Sequence, residues 1–135
     1  MDAQTIEKIK PIIAGIFMAE GSSIDYRRGM IEFTNTDPIY IKACVWYLEN
    51  VVGIDKKKMS LRLRLHAKQN EKRCKKYWAE LTGITRFNKT QTTLRSRRKH
   101  PNKMGVCWIR AYASKNLLRK HENFLNHYKS ILLHC

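Results

Sequence analysis

The chain has 135 residues, 43% of them hydrophobic, and a formal net charge of +16 from 27 Lys and Arg against 11 Asp and Glu. That length is one ordinary domain, residues 1–135, and the apolar content is too high for a disordered chain. No apolar run is as long as a membrane span, and Asp2, Glu7, Lys8 and Lys10 interrupt any secretory signal at the start.

Cys44, Cys74, Cys107 and Cys135 form no C-x-x-C pair, which reads as reduced thiols in an intracellular protein rather than as a zinc site or a disulfide framework. The charge is unevenly spread. Residues 1–55 carry five basic and eight acidic side chains, for −3, whereas residues 56–103 carry 17 basic side chains against Glu71 and Glu80, for +15. Residues 104–135 add +4. A merely soluble protein intersperses its signs; a block this basic suits a polyanion.

In chain order, a first helix is expected from near Lys10, with Pro11 in its first turn, to Gly21. Two short strands follow, Ile24–Arg28 and Met30–Thr34, turning at Gly29. Asp37-Pro38 opens a second helix, with Asp37 as N-cap; Ile41, Cys44, Val45, Leu48, Val51 and Val52 repeat at helical spacing until Gly53. Ser60–His66 alternates: Leu61, Leu63 and Leu65 on one side, Ser60, Arg62, Arg64 and His66 on the other. Residues 69–82 read as a third helix with Cys74, Tyr77, Trp78 and Leu81 as its buried stripe, ended by Gly83. Lys89–Arg97 alternates again and groups Gln91, Thr93, Arg95 and Arg97, before a basic turn at Arg98–Lys103. Val106–Tyr112 is a last strand, and Ser114 caps a last helix containing Leu117, Leu118, Phe124, Leu125, Tyr128, Ile131 and Leu132.

The order αββαβαββα implies an α+β domain, with helices packed on one face of a curved antiparallel sheet. The other face is then open and polar. Arg can clasp guanine, Gln can clasp adenine, and Thr can touch a thymine methyl in the major groove of duplex DNA. The candidate contacts are Arg27, Arg28, Glu32, Arg62, Arg64, His66, Lys89, Gln91, Thr93, Arg95, Arg97 and Arg98. Trp46, Trp78 and Trp108 lie on or beside apolar stripes and are assigned to core packing.

The first helix is unusual for a soluble protein. Ala14, Gly15 and Ala19 are small, and Gly15 and Ala19 are four apart, a spacing that in membrane helices permits close backbone approach. The helix ends in Glu20 followed by Gly21, and a carboxylate at the negative end of a helix dipole calls for a compensating cation.

The stretch Ile13-Ala14-Gly15-Ile16-Phe17-Met18-Ala19-Glu20-Gly21 resembles the LAGLIDADG motif of homing endonucleases. The resemblance extends from about Ile12 through the two strands, the Asp37-Pro38 helix and the alternating Leu/Arg strand, with the helix at 69–82 as an embellishment. It implies two motif helices side by side at a two-fold axis, acids at their feet binding metal over the scissile phosphates, and sheets reading the major groove. One motif per chain implies a homodimer on a roughly palindromic site. Glu20 then takes the metal-binding, catalytic role with help from the Gly21 carbonyl, the metal being Mg²⁺ or Mn²⁺; Ala14, Gly15, Met18 and Ala19 form the helix–helix seam. Met18 stands where the family motif is often acidic, and Lys89, Asn35 and Arg62 are candidates for the polar residues around the phosphate. The resemblance admits two other functions: a DNA-binding regulator that does not cleave, and an RNA-binding, splicing-assisting protein.

Overall fold

The computed structural model describes residues 2–20, 22–93 and 104–134. Helix α1 spans Ala3–Ala19, two turns longer at its start than Pro11 suggests. Asp2 is its N-cap, accepting a hydrogen bond from the Thr5 backbone N–H at 2.7 Å. Pro11 sits inside the helix on its exposed side, where water can donate to the Glu7 carbonyl that the proline leaves without a partner. Strands β1 (Ser22–Asp25) and β2 (Met30–Asn35) pair in the register Asp25↔Met30. The connecting turn covers residues 26–29, so Arg27 and Arg28 belong to a turn and not to a strand. Gly29 adopts φ +68° there, and the Arg28 N–H bonds the Asp25 carboxylate at 2.9 Å.

Helix α2 spans Pro38–Tyr47, with Asp37 accepting from the Ile39 N–H and Pro38 at its first position. It widens into a π-type turn over Leu48–Val52 and stops at Gly53. A short 3₁₀ turn, Lys56–Lys58, leads into β3 (Met59–His66). Helix α3 (Glu71–Thr82) is capped by Asn70 and ended by Gly83. The described part of β4 is Gln91–Thr93; β5 spans Val106–Tyr112. Helix α4, Lys115–Leu133, starts at Ser114, whose hydroxyl accepts from the Leu117 N–H.

The strand order is β1-β2-β5-β3-β4. Four strands pair antiparallel, but β4 runs parallel to β3, so the sheet is mixed rather than antiparallel. The reason is the connection: α3 returns the chain across the sheet before β4 begins, the geometry of a strand–helix–strand crossover.

All four helices share one core with one face of this sheet. Leu61, Leu63 and Leu65 of β3, Cys107, Ile109 and Ala111 of β5, and Ile31 and Phe33 of β2 are buried together with Ile13, Phe17, Ile41, Leu48, Trp78 and Leu118. Cys44, Cys74 and Cys107 are buried free thiols, and burial raises the pKa of each. Among the described residues, no helix is long and apolar enough to cross a membrane.

Two buried features define how tightly this core is specified. Gly105, just before β5, has φ +79°, and a Cβ there would lie 2.5 Å from Leu65 Cδ2 and 2.6 Å from the Arg64 carbonyl oxygen. Gly53 also has positive φ but opens onto empty space. Gly105→Ala is therefore expected to cost about 3 kcal/mol, strain plus overpacking, and Gly53→Ala only about 1. Denaturant titration of the two variants checks the difference.

The second feature is His121 of α4, fully buried between Phe17 and Tyr47. Its Nδ1 shares a 2.7 Å hydrogen bond with the Tyr47 hydroxyl, while Nε2 is buried with no partner among the described residues. Burial holds its pKa down to about 4, from an ordinary 6.5. Above pH 6.5 the ring is neutral folded or unfolded; below it, the unfolded chain takes a proton that the folded chain refuses until about pH 4. Acidification through that window should remove about 3 kcal/mol of stability. His121→Phe should flatten this part of the stability–pH curve; an unchanged curve would contradict the assignment.

Candidate nucleic-acid interface

The face of the sheet away from the helices is built by strand alternation. Because Leu61, Leu63 and Leu65 are buried, Ser60, Arg62, Arg64 and His66 point the other way. Register places Arg62 opposite Trp108, Arg64 opposite Val106 on one side and Gln91 on the other, and His66 opposite Thr93. Glu32 stands opposite Arg110 on β2 and β5.

Arg62, Arg64, Asn88, Lys89, Gln91, Thr93 and Arg110 line an open groove on this face. Among the described residues, no carboxylate lines it. The Arg64 guanidinium reaches the Gln91 side-chain oxygen at 3.4 Å, and Asn88 donates to the Ser60 hydroxyl at 3.0 Å. Gln91, Thr93 and Arg64 are exposed, so groups able to read base edges face solvent side by side.

The remaining expected contacts divide. Glu32 is held by Arg110 through a 2.9 Å ion pair, both side chains about three-quarters covered, so it neutralises a cation at the edge of the groove. His66 is tied into the turn after β3: its backbone N–H donates to Gln69, and its Nδ1 accepts from the Lys68 N–H at 3.3 Å. Arg27 and Arg28 are exposed in the β1–β2 turn. Arg95, Arg97, Arg98 and Gly21 lie outside the described residues.

Trp108 corrects an expectation. Trp78 is core, its indole N–H donating to the Met104 carbonyl at 2.9 Å, and Trp46 packs against the core from the helix side. Trp108 instead sits half-buried on the outer face, with the Arg62 guanidinium carbon 4.8 Å and that of Arg64 4.9 Å from its ring centroid. Alternation in β5 held the signal: Cys107, Ile109 and Ala111 supply the buried side, which leaves Trp108 on the other. Each such cation–ring contact contributes about 0.5–1 kcal/mol at an exposed site.

The end of α1 gathers a second set of groups. Glu20 is exposed at the helix C-cap, and its carboxylate accepts from the Asn35 amide at 3.0 Å. Asn35 is fixed in turn by the Asp37 N–H, which donates to its side-chain oxygen at 2.7 Å. A methyl group added at Gly15 would meet nothing within 4 Å, Ala19 is exposed, and Ile12 is 64% exposed, so this side of α1 is an open, small-residue surface. Ala14 is buried in the chain's own core, and Met18 turns toward Leu125 and Lys129 of α4. No cluster of three His, Cys, Asp or Glu side chains suited to a metal occurs among the described residues.

Helices on one face and a cationic, hydrogen-bonding face on the other define the chain as an α+β domain with a surface suited to a polyanion. In comparisons with known proteins, no family model, no curated protein and no solved structure matches it.

The Glu32–Arg110 pair gives a test of this surface that needs no identified ligand. Glu32→Gln frees a cation beside the groove and should raise the salt needed to elute the protein from heparin, at a stability cost within about 1 kcal/mol. Arg64→Gln should lower the elution salt. Identical elution of both variants and the parent would show that polyanions bind elsewhere.

Proposed function

We propose that the chain is a site-specific, metal-dependent endonuclease that acts as a homodimer on roughly palindromic duplex DNA. The observation that carries the DNA-binding part is the groove of Arg62, Arg64, Lys89, Gln91 and Thr93 on an open sheet face, lined by no carboxylate among the described residues. Arginine and glutamine at adjacent strand positions match guanine and adenine edges in the major groove, and a two-stranded part of the sheet such as β3 with β4 fits that groove.

The nuclease part rests on the resemblance of the first helix to the LAGLIDADG motif and on the surroundings of Glu20. Gly15 and Ala19 leave one side of α1 open to a second copy of the same helix, and Glu20 stands exposed at the end of that side. One carboxylate from each chain, with phosphate oxygens and water, is a donor set that Mg²⁺ accepts. The bound ion would supply charge relief at the phosphate and an activated water. Asn35 orients the Glu20 carboxylate, and the basic sheet holds the duplex in register. Two Glu20 side chains brought together repel unless a cation lies between them.

A second reading, a regulator that binds DNA without cutting it, is favoured by one observation: the Asn35 amide already occupies one oxygen of the Glu20 carboxylate.

Selecting bound duplexes from a random library, then incubating the selected site with Mg²⁺, tests both readings. The expected results are a two-fold symmetric site, a dimer by sedimentation on DNA, and a salt slope of about −0.9 per phosphate contact. Cleavage should vanish in Glu20→Gln while binding stays within a few-fold. Tight binding with no cleavage in Mg²⁺ or Mn²⁺ would replace the nuclease by the regulator, and preference for structured RNA would replace both. A strictly monomeric complex would overturn the dimer.

A further inference from the structure

Two guanidinium groups lie on one indole ring. Arg62 faces Trp108 directly across the β3–β5 ladder, and Arg64 reaches the same ring from the diagonal position. With their carbons 4.8 and 4.9 Å from the ring centroid, the two charges stand within about 10 Å of each other, about one Debye length at 0.1 M ionic strength. Among the described residues, no carboxylate lines their groove; the nearby Glu32 is committed to Arg110.

Like charges gathered in this way repel, and long arginine side chains left to themselves spread into solvent. Here the ring face opposes both tendencies, because its negative quadrupole attracts each cation. The Arg62 Nε is buried with no hydrogen-bond partner among the described residues, so the inner part of this guanidinium is pressed onto the sheet rather than solvated. Arg64 is restrained further by Gln91. An arginine whose plane is fixed before binding loses less conformational freedom when it forms a bidentate contact than one that must be ordered first.

Resting on the DNA-binding reading above, we infer that Trp108 is a positioning residue for sequence recognition: it holds Arg62 and Arg64 together so that they read two neighbouring guanines in each half-site. Trp108 acts through the two arginines and need not touch a base. Its loss therefore affects two positions of the site at once, whereas the loss of either arginine affects one.

The experiment uses the full chain and the duplex it selects from a random library. Affinity is measured for the selected site and for versions with each guanine in turn replaced by adenine. Arg62→Gln should abolish discrimination at one position and Arg64→Gln at the other, each by roughly 10- to 100-fold. Trp108→Leu, which keeps apolar bulk on the strand, should weaken discrimination at both positions. Trp108→Tyr, which keeps a ring, should retain most of it. Trp108→Thr, with a side chain suited to a strand, replaces Trp108→Leu if that variant does not fold. Solvent exchange of the Arg62 Nε–H in the free protein gives an independent readout, slow in the parent and Trp108→Tyr and fast in Trp108→Leu. A folded Trp108→Leu protein that discriminates as the parent does overturns the inference and leaves the DNA-binding reading standing. A parent protein with no preference among duplexes overturns both.

Discussion

Leu61, Leu63 and Leu65 cannot be buried without turning Arg62, Arg64 and His66 the other way, because successive side chains on a strand point to opposite faces. A slip of one residue would bury two arginines without counter-ions and expose three leucines, so the register of β3 is strongly determined. β3 lies between β5 and β4, and its pairing sets which side of each neighbour is wet. Trp108 and Val106 of β5 share the face of Arg62 and Arg64, and Gln91 and Thr93 of β4 join them. The cationic groove is thus a consequence of burying the leucines.

The helix layer works under a related constraint. Helix α1 buries Ile13, Ala14 and Phe17 toward α2, α4 and Phe33 of β2, and the same periodicity turns Ile12, Gly15 and Ala19 outward. His121 completes the packing under Phe17, joined to Tyr47, at the cost of keeping an imidazole neutral below its ordinary range. Glu20, at the end of α1, is reached by Asn35 at the end of β2, so the edge of the core positions the carboxylate.

Much of this is legible in the sequence because local signals and burial agree. Asp37-Pro38, Gly53, Gly83 and Ser114 mark helix ends through their own backbone chemistry, and the element order follows from them. Pro11 misleads about where α1 starts: proline favours first turns, yet the Asp2 cap and the spacing of Ile6, Ile9 and Ile13 extend the helix past it. The parallel pairing of β4 is not legible, since alternation shows which face a residue takes but not which strand lies beside it. The size and apolarity of Trp108 argue for burial, yet the small residues Cys107 and Ala111 occupy the core side and leave the indole on the other. His121 carries a usable signal, lying at helical spacing between Leu118 and Leu125. The resemblance to the LAGLIDADG motif suggests what periodicity does not contain, the role proposed for Glu20.

In the proposed function, nucleic acid meets the outer face of the sheet. The three tryptophans report on it independently, because Trp78 is sealed in the core, Trp46 packs from the helix side, and Trp108 lies against the two arginines of the groove. Titrating a nitrogen-labelled protein with its selected duplex and following the three indole N–H resonances is the most direct measurement. Binding on the outer face should shift the Trp108 signal strongly and leave those of Trp46 and Trp78 nearly unmoved; a Trp108 signal that stays in place at saturation, while Trp46 shifts, would place the duplex on the helix side instead.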